Sequence, residues 1–269
     1  MKNTIILSLL ISLVLISCES TIEPTPENQN ITILKKAQAS ADSAVASIFS
    51  EAAAAGIIMK NNNFEEGTVR AELQLFLTKH PNVEEAIYVE GSGVLTFIEP
   101  RLYSNSEGVD ISQQEHTLQM KSTKSYAMSG LFKVVEGFYA VVVAAPILEN
   151  GIVIGSVNIV IKPHKFLKDY TDLHVLNKVD DFFVMETNGN MIYDIDSTQV
   201  GRNVFTDSLY KAFPTLIAAA HNVVESDNGL TYYSFLDKTK QTTVYKNVWW
   251  RTSSYYGRVW KYCVVKERV

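Results

Sequence analysis

The sequence predicts an α+β fold: a long N-terminal helix followed by two similar units, each an antiparallel sheet of about five strands flanked by helices. Three observations predict it. Apolar and small residues recur at helical spacing from Ile33 to Ala52, with no break until Gly56. A strand, a glycine turn and a returning strand occur twice, far apart in the chain. Long apolar strands follow each occurrence, the clearest being residues 138–163, FYAVVVAAPILENGIVIGSVNIVIKP.

Composition bounds the rest. The 269 residues are 46% hydrophobic and 20% charged, enough apolar material for one large core or two small ones. A net charge of −5 without Lys/Arg clusters argues against nucleic acid as a partner. Residues 1–18 read as a signal segment: Met1-Lys2 begins a basic head, Ile5 to Ile16 is apolar, and Leu15-Ile16-Ser17-Cys18 follows. Small or apolar residues before Cys18 resemble the lipobox of bacterial lipoproteins, which implies acylation of Cys18. That apolar run is shorter than the roughly 20 residues a membrane span needs, and no other segment reads as a span. Cys18 and Cys263 are the only cysteines, so lipid on Cys18 leaves no disulfide; Cys263 reads as a small core residue.

Residues 19–32 suit a flexible tether. Residues 33–62 form the long helix, with Ile33, Leu34, Ala37, Ala41, Val45, Ile48, Phe49 and Ala52 on one face. Residues 63–163 form the first unit. It contains a short helix (Val69 to Leu77), the hairpin Ala86–Glu90/Val94–Ile98, the step Gly108-Val109-Asp110, and Ser112 with Glu115 at capping-box spacing. Its later strands are Lys133–Val135, Tyr139–Ala145 and Ile152–Ile161, the last two joined by Asn150-Gly151, a type I′ turn pair.

Residues 164–179 form a linker helix and residues 180–269 the second unit. Here the hairpin is Asp181–Met185/Met191–Ile195 and the step is Gly201-Arg202-Asn203, with Thr206 or Asp207 capping the next helical segment. The strands Leu230–Phe235, Thr242–Trp250 and Val259–Val265 complete it.

Catalytic signatures are missing. The five histidines have no metal-ligand spacing, and there is no phosphate-binding loop and no nucleophile elbow. Ser208-x-x-Lys211 lacks its companion Lys-Thr-Gly. The chain therefore reads as non-enzymatic, with no cofactor and no metal. Asp180-Asp181, Asp194 and Asp196 read as solvated hairpin flanks, and His116 as a surface helix residue. Tyr245, Trp249, Trp250, Tyr255, Tyr256 and Trp260 read as core and cross-strand pairs, or else as a partner- or sugar-binding face.

These segments resemble the extracytoplasmic double-Cache (PAS-like, PDC-type) sensor domains over nearly all of the mature chain. The matching features are the long helix, Gly108-Val109-Asp110-Ile111-Ser112, and Val142 to Ile161 with Pro146-Ile147 and Gly155. In the second unit they are Met185–Gly189 into Ile192-Tyr193-Asp194, then Gly201–Phe205. The resemblance implies a small-molecule pocket in the first, membrane-distal unit, with Tyr103, Asp110, Ser129, Phe132 and Tyr139 on the matching segments. The amino-acid-binding subset carries a Trp before this pocket and an Asp on its late strand; here all three Trp lie in the second unit and Ser156–Val160 has no Asp. A small organic acid or neutral metabolite is the expected ligand. Relatives continue into a membrane span and a signalling module, whereas a lipid at Cys18 is the expected anchor here, with relay to a separate membrane partner. Homodimers along the N-terminal helix are usual in the family. The second reading is a docking lipoprotein with a vestigial pocket, binding through the long helix or the aromatic C-terminal hairpin.

Overall fold

A computed structural model describes residues 26–237, 239 and 241–268; the predicted signal segment and Cys18 lie outside the described residues. The element order is helix α1 (Pro26–Asn61), α2 (Glu66–Lys79), strands β1 (Glu85–Glu90) and β2 (Leu95–Glu99), α3 (Glu115–Thr123), and β3 (Ala127–Met128). Then come β4 (Phe132–Lys133), β5 (Tyr139–Glu149), β6 (Ile152–Ile161) and α4 (Pro163–Val175). The second unit adds β7 (Asp181–Glu186), β8 (Met191–Asp194), α5 (Pro214–Glu225), β9 (Asn228–Asp237), β10 (Thr242–Tyr255) and β11 (Arg258–Glu267). The fold class is the expected one: a long helix, then two antiparallel sheets with flanking helices.

Helix α1 has 36 residues and spans about 54 Å at 1.5 Å per residue. It begins at Pro26, inside the stretch read as tether, and ends where Asn63 and Phe64 turn left-handed and the Phe64 N–H bonds back to the Met59 carbonyl. By length and composition α1 is also apolar enough to cross a membrane, against the sequence reading. Its apolar face is instead the spine of one core that contains residues of both sheets, from Val141 and Val143 to Trp249, Trp260 and Tyr262. Alanines at 37, 41, 44, 52 and 55 are buried in it, which brings the backbone close to the sheets. At Gly56 a Cβ would sit 2.8 Å from Ile147 Cγ1, so only glycine fits there.

The two sheets have one topology. The first runs β2-β1-β6-β5-β3, with β4 also paired to β5; the second runs β8-β7-β11-β10-β9. Agreement extends to single bonds. Each first hairpin carries a register shift at the same step, Tyr88/Val89 and Val184/Met185. In each, the Gly-x-polar step closes the same ladder: Gly108 N–H to Leu95 and Ile111 N–H to Gly93, matched by Gly201 to Met191 and Val204 to Gly189. Asp110 and Asn203 occupy equivalent places, each accepting the N–H two residues on at 2.7 and 3.0 Å.

The central hairpin β5–β6 turns at Asn150 (φ 48°) and Gly151 (φ 76°), as the pair demands. Both faces of β5 are covered. Val141, Val143, Ala145 and Ile147 pack on α1, while Ala140 and Val142 face the opposite cluster with Ile87, Leu95 and Val160. Burial on both faces explains the uninterrupted apolar run.

Most aromatics of the C-terminal hairpin are core, whereas Tyr245 and Tyr256 are exposed. Trp249, Trp260, Tyr255 and Tyr262 lie against α1, and Trp250 lies on the other face. A polar seam fixes α1 there: Gln38 Nε2 donates to Ser253 Oγ (2.8 Å) and the Thr252 carbonyl (2.9 Å), and Arg251 Nε donates to Gln38 Oε1 (2.6 Å). The Tyr255 hydroxyl donates to Asp42 and lies 2.8 Å from the Tyr262 hydroxyl. Units also meet where the β10–β11 turn reaches the first unit. Arg258 Nε donates to the Met128 carbonyl at 3.0 Å, and the Arg258 guanidinium pairs with Glu115.

Candidate functional site

Each unit has a face turned away from α1 on which the topology allows a pocket. In the first unit that face is closed. The space among Ile87, Leu95, Ile111, Phe132, Val142 and Val160 is about 20 Å³, room for a single water. The five residues expected there are not gathered around a ligand-sized space. The Tyr103 hydroxyl donates to Glu84 Oε1 at 2.6 Å. Asp110 is exposed and spends its carboxylate on the Ser112 N–H. Ser129 is buried, accepting from the Val142 N–H (2.8 Å) and donating to the Gly130 carbonyl (2.9 Å). Phe132 lines the small space, and Tyr139 is 61% exposed at the start of β5.

Two neighbours of that space depart from the sequence reading or escaped it. His116 is buried rather than on the surface, with Nε2 3.5 Å from Asn158 Nδ2, and burial pushes its pKa down to about 4. Glu85 is fully buried, and neither carboxylate oxygen has a hydrogen-bond partner. Burial first, then the carboxylates of Glu136 and Glu84, push its pKa up to about 8.

The second unit is hollow on the matching face. A cavity of about 840 Å³ opens between β7–β11, the segment 194–213 and α5. Phe183, Met185, Leu216, Ala220, Val248 and Val265 make its walls apolar. The polar groups concentrate at one end, where strand alternation places Asp181 on the face of Phe183 and Met185, and Asp194 opposite Phe183.

Asp194 is buried, its Oδ1 accepting the Asp196 N–H at 2.7 Å, and half-buried Asp181 lies beside it on the same sheet face, correcting their reading as solvated flanks. Burial, then the neighbouring Asp181, raises the Asp194 pKa, so the pair retains a proton near neutrality. Asp180 behaves differently: burial opposes its charge, but Lys266 and Lys246 outweigh it and bring the pKa down to about 2. Tyr210 donates to Gln199 Oε1 at 2.7 Å at the cavity wall. One signal could have exposed the pair. Asp181 and Glu85 hold the same position in the repeated hairpin, an acid in register with apolar neighbours. Among the described residues no cluster of His, Cys, Asp and Glu has metal-binding geometry.

Comparison with known proteins agrees with the architecture. Residues 44–163, the C-terminal part of α1 and the first unit, match the family model described as HK/GC/Chemotaxis protein-like, sensor domain. Among solved structures, an extracellular ligand binding receptor from Desulfohalobium retbaense DSM5692 is similar with a TM-score of 0.71 at 22% identity. The likeness covers 89% of this chain and 40% of the receptor, so the chain spans well under half that protein's length. Methyl-accepting Chemotaxis protein X is similar at TM-score 0.67 and 11% identity, over 90% of this chain and 96% of that one. The ligand-binding domain of the Campylobacter jejuni chemoreceptor Tlp3, in complex with 4-methylisoleucine, gives 0.62 at 12% identity, over 90% of each chain. Comparison with curated proteins returns no match. The chain has the fold of the Cache (PDC-type) sensory domains of histidine kinases and chemoreceptors, and its first unit carries the sequence pattern of such a sensor domain.

Proposed function

We propose that the protein is a lipid-anchored extracytoplasmic sensor that captures a small molecule and passes the event to a separate membrane protein. The observation that carries this reading is the cavity of about 840 Å³ in a chain with a sensor-domain fold. Its size and its apolar walls with a few convergent polar groups are those of small-molecule sites. The ligand sits in the second unit, because the distal space is filled by the protein's own side chains. Binding is the whole chemistry; no covalent step is assigned.

The Leu15-Ile16-Ser17-Cys18 motif supports the anchor, since several acyl chains on one residue hold a protein to a bilayer stably. The second unit packs on the N-terminal part of α1 through Gln38 and Asp42, so an anchor at Cys18 keeps that unit nearest the membrane. Helix α1 is the path of relay: it touches both sheets, and movement of β10 or β11 acts on its polar seam with Gln38. Its outward face, with Ala39, Ala46, Ser50 and Ala54 exposed, is where a twin copy or the membrane partner docks.

The experiment is thermal unfolding against organic acids, amines, amino acids and sugars, in wild type and Ala220→Phe, which fills the cavity. A ligand at a hundred times its Kd adds about 2.7 kcal/mol, a rise of roughly 5–10 °C. The expected outcome is such a rise in wild type and none in the variant. If no compound raises the melting temperature, the sensing reading falls and the docking reading, which the closed distal pocket favours, replaces it.

A further inference from the structure

Resting on the second-unit cavity as the ligand site, we infer that its occupant is an amine with an apolar body, its ammonium seated on the Asp181–Asp194 pair. The charge of the walls points to this class. Among the described residues, Asp180, Asp181, Asp194 and Asp196 line this end of the cavity together with one lysine, Lys246. That lysine is committed elsewhere, 3.0 Å from Asp180 Oδ2 and 3.4 Å from Glu267 Oε2. Asp196 is committed to its own turn, accepting from the Thr198 N–H and hydroxyl and from Gln199 Nε2. Among the described residues no cation pairs with Asp181 or Asp194. The remaining walls are apolar and aromatic, with Phe183, Phe213, Tyr233 and Phe235 around the pair's end of the cavity.

Two carboxyls this close in a buried setting cannot both ionise unless a positive charge joins them. A carboxylate ligand meets like charge in a site of low polarity, where the interaction is strongest. An alcohol leaves the pair sharing its proton. An ammonium takes that proton's place: the pair becomes two carboxylates, the proton leaves to solvent, and the ammonium donates hydrogen bonds to both. No bond to carbon forms or breaks. The titratable groups facing the pair are Asp196 on the following turn, Tyr210 on the wall, Tyr233 on β9, Lys246 on β10 and Cys263 on β11. Lys246 is the one cation among these described groups and remains bound to Asp180.

Three probes of similar shape test the inference: 3-phenylpropylamine, 3-phenylpropanol and 3-phenylpropionate, titrated calorimetrically into the whole chain near pH 7 in two buffers of different ionisation heat. The amine is expected to bind at least about tenfold tighter than the alcohol, with the acid weakest, and to release up to one proton. Asp194→Asn is expected to lower amine affinity at least about tenfold, to end proton release, and to leave the alcohol unchanged. Asp181→Asn, at the less buried member of the pair, gives the same readout should Asp194→Asn fail to fold. Binding of the alcohol or acid as tight as the amine, in the cavity that Ala220→Phe fills, overturns the amine while the sensor reading stands. So does the absence of amine binding when another compound class raises the melting temperature. Failure of every compound overturns both.

Discussion

The first and second units are built on one plan and end in opposite states. Strand order, the shifted register of the first hairpin and the hydrogen bonds of the Gly-x-polar step coincide. Glu85 and Asp181 even place an acid, fully buried in the first unit and half-buried in the second, at the same strand position. Yet the space under the first sheet is about 20 Å³ and that under the second about 840 Å³. The difference lies in what covers the sheet. In the first unit Ile111, Phe132 and Val134 press into the face formed by Ile87, Leu95 and Val142, whereas in the second α5 presents the small residues Ala219 and Ala220. The backbone plan fixes where a pocket is possible, and the size of the covering side chains decides whether it exists.

The largest test of this contrast compares two truncations. Ile98→Ala, in the closed face, is expected to cost about 2–5 kcal/mol, because a fully buried side chain leaves a void its neighbours cannot fill. Leu216→Ala on the cavity wall removes contacts from one side only and should cost about 1 kcal/mol or less. Equal losses on urea unfolding would mean that the second cavity is closed in solution. The reverse substitution comes next. Ala140→Leu overpacks the closed face and should cost about 1–3 kcal/mol, while Ala220→Leu, facing open space, is expected to be near neutral.

The paired acids give a third, pH-dependent contrast. Glu85 has a folded pKa of about 8 against about 4.3 unfolded, so the folded state holds the extra proton between these values. Its stabilising contribution is complete below pH about 4.3 and is lost as pH rises through about 8. Wild type should therefore lose on the order of 4 kcal/mol relative to Glu85→Gln between pH 5 and 8.5. Asp181 and Asp194 act with the same sign but are common to both proteins, so they cancel in the difference. A flat difference would show that Glu85 finds a cation or water. The smallest effect concerns the junction. Arg258→Ala removes the bond to the Met128 carbonyl and the pair with Glu115, at about 1 kcal/mol, and should split one unfolding transition into two. A single unshifted transition would place the coupling in α1 alone.

Much of the fold is legible along the chain because its signals are local. Asn150-Gly151 specifies its turn by backbone angle alone, and the spacing of Ile33 to Ala52 specifies the buried face of α1. Asp207 is legible too, and it caps the segment Ser208–Ala212 by accepting the Leu209 N–H. Ser112 is not: the helix starts at Glu115 with Gln114 before it, because Ser112 is held in the turn made by Asp110. The candidate site was harder to see. Tyr103, Ser129 and Tyr139 are the residue types a pocket uses, but hydrogen bonds to Glu84 and the Val142 N–H, and exposure at the start of β5, are properties of their neighbours. Asp181 and Asp194 look like hairpin flanks until β11 pairs beside them and α5 and the 194–213 segment cover that face of the sheet.

What the sequence by itself determined is the order of elements, the repeat and the helix that joins both halves, since periodicity and turn chemistry act over a few residues. Only the tertiary structure decided which half is hollow and which acids are buried. Volume and desolvation are set by side chains that meet from distant parts of the chain, such as Ala220 of α5 over Val248 of β10.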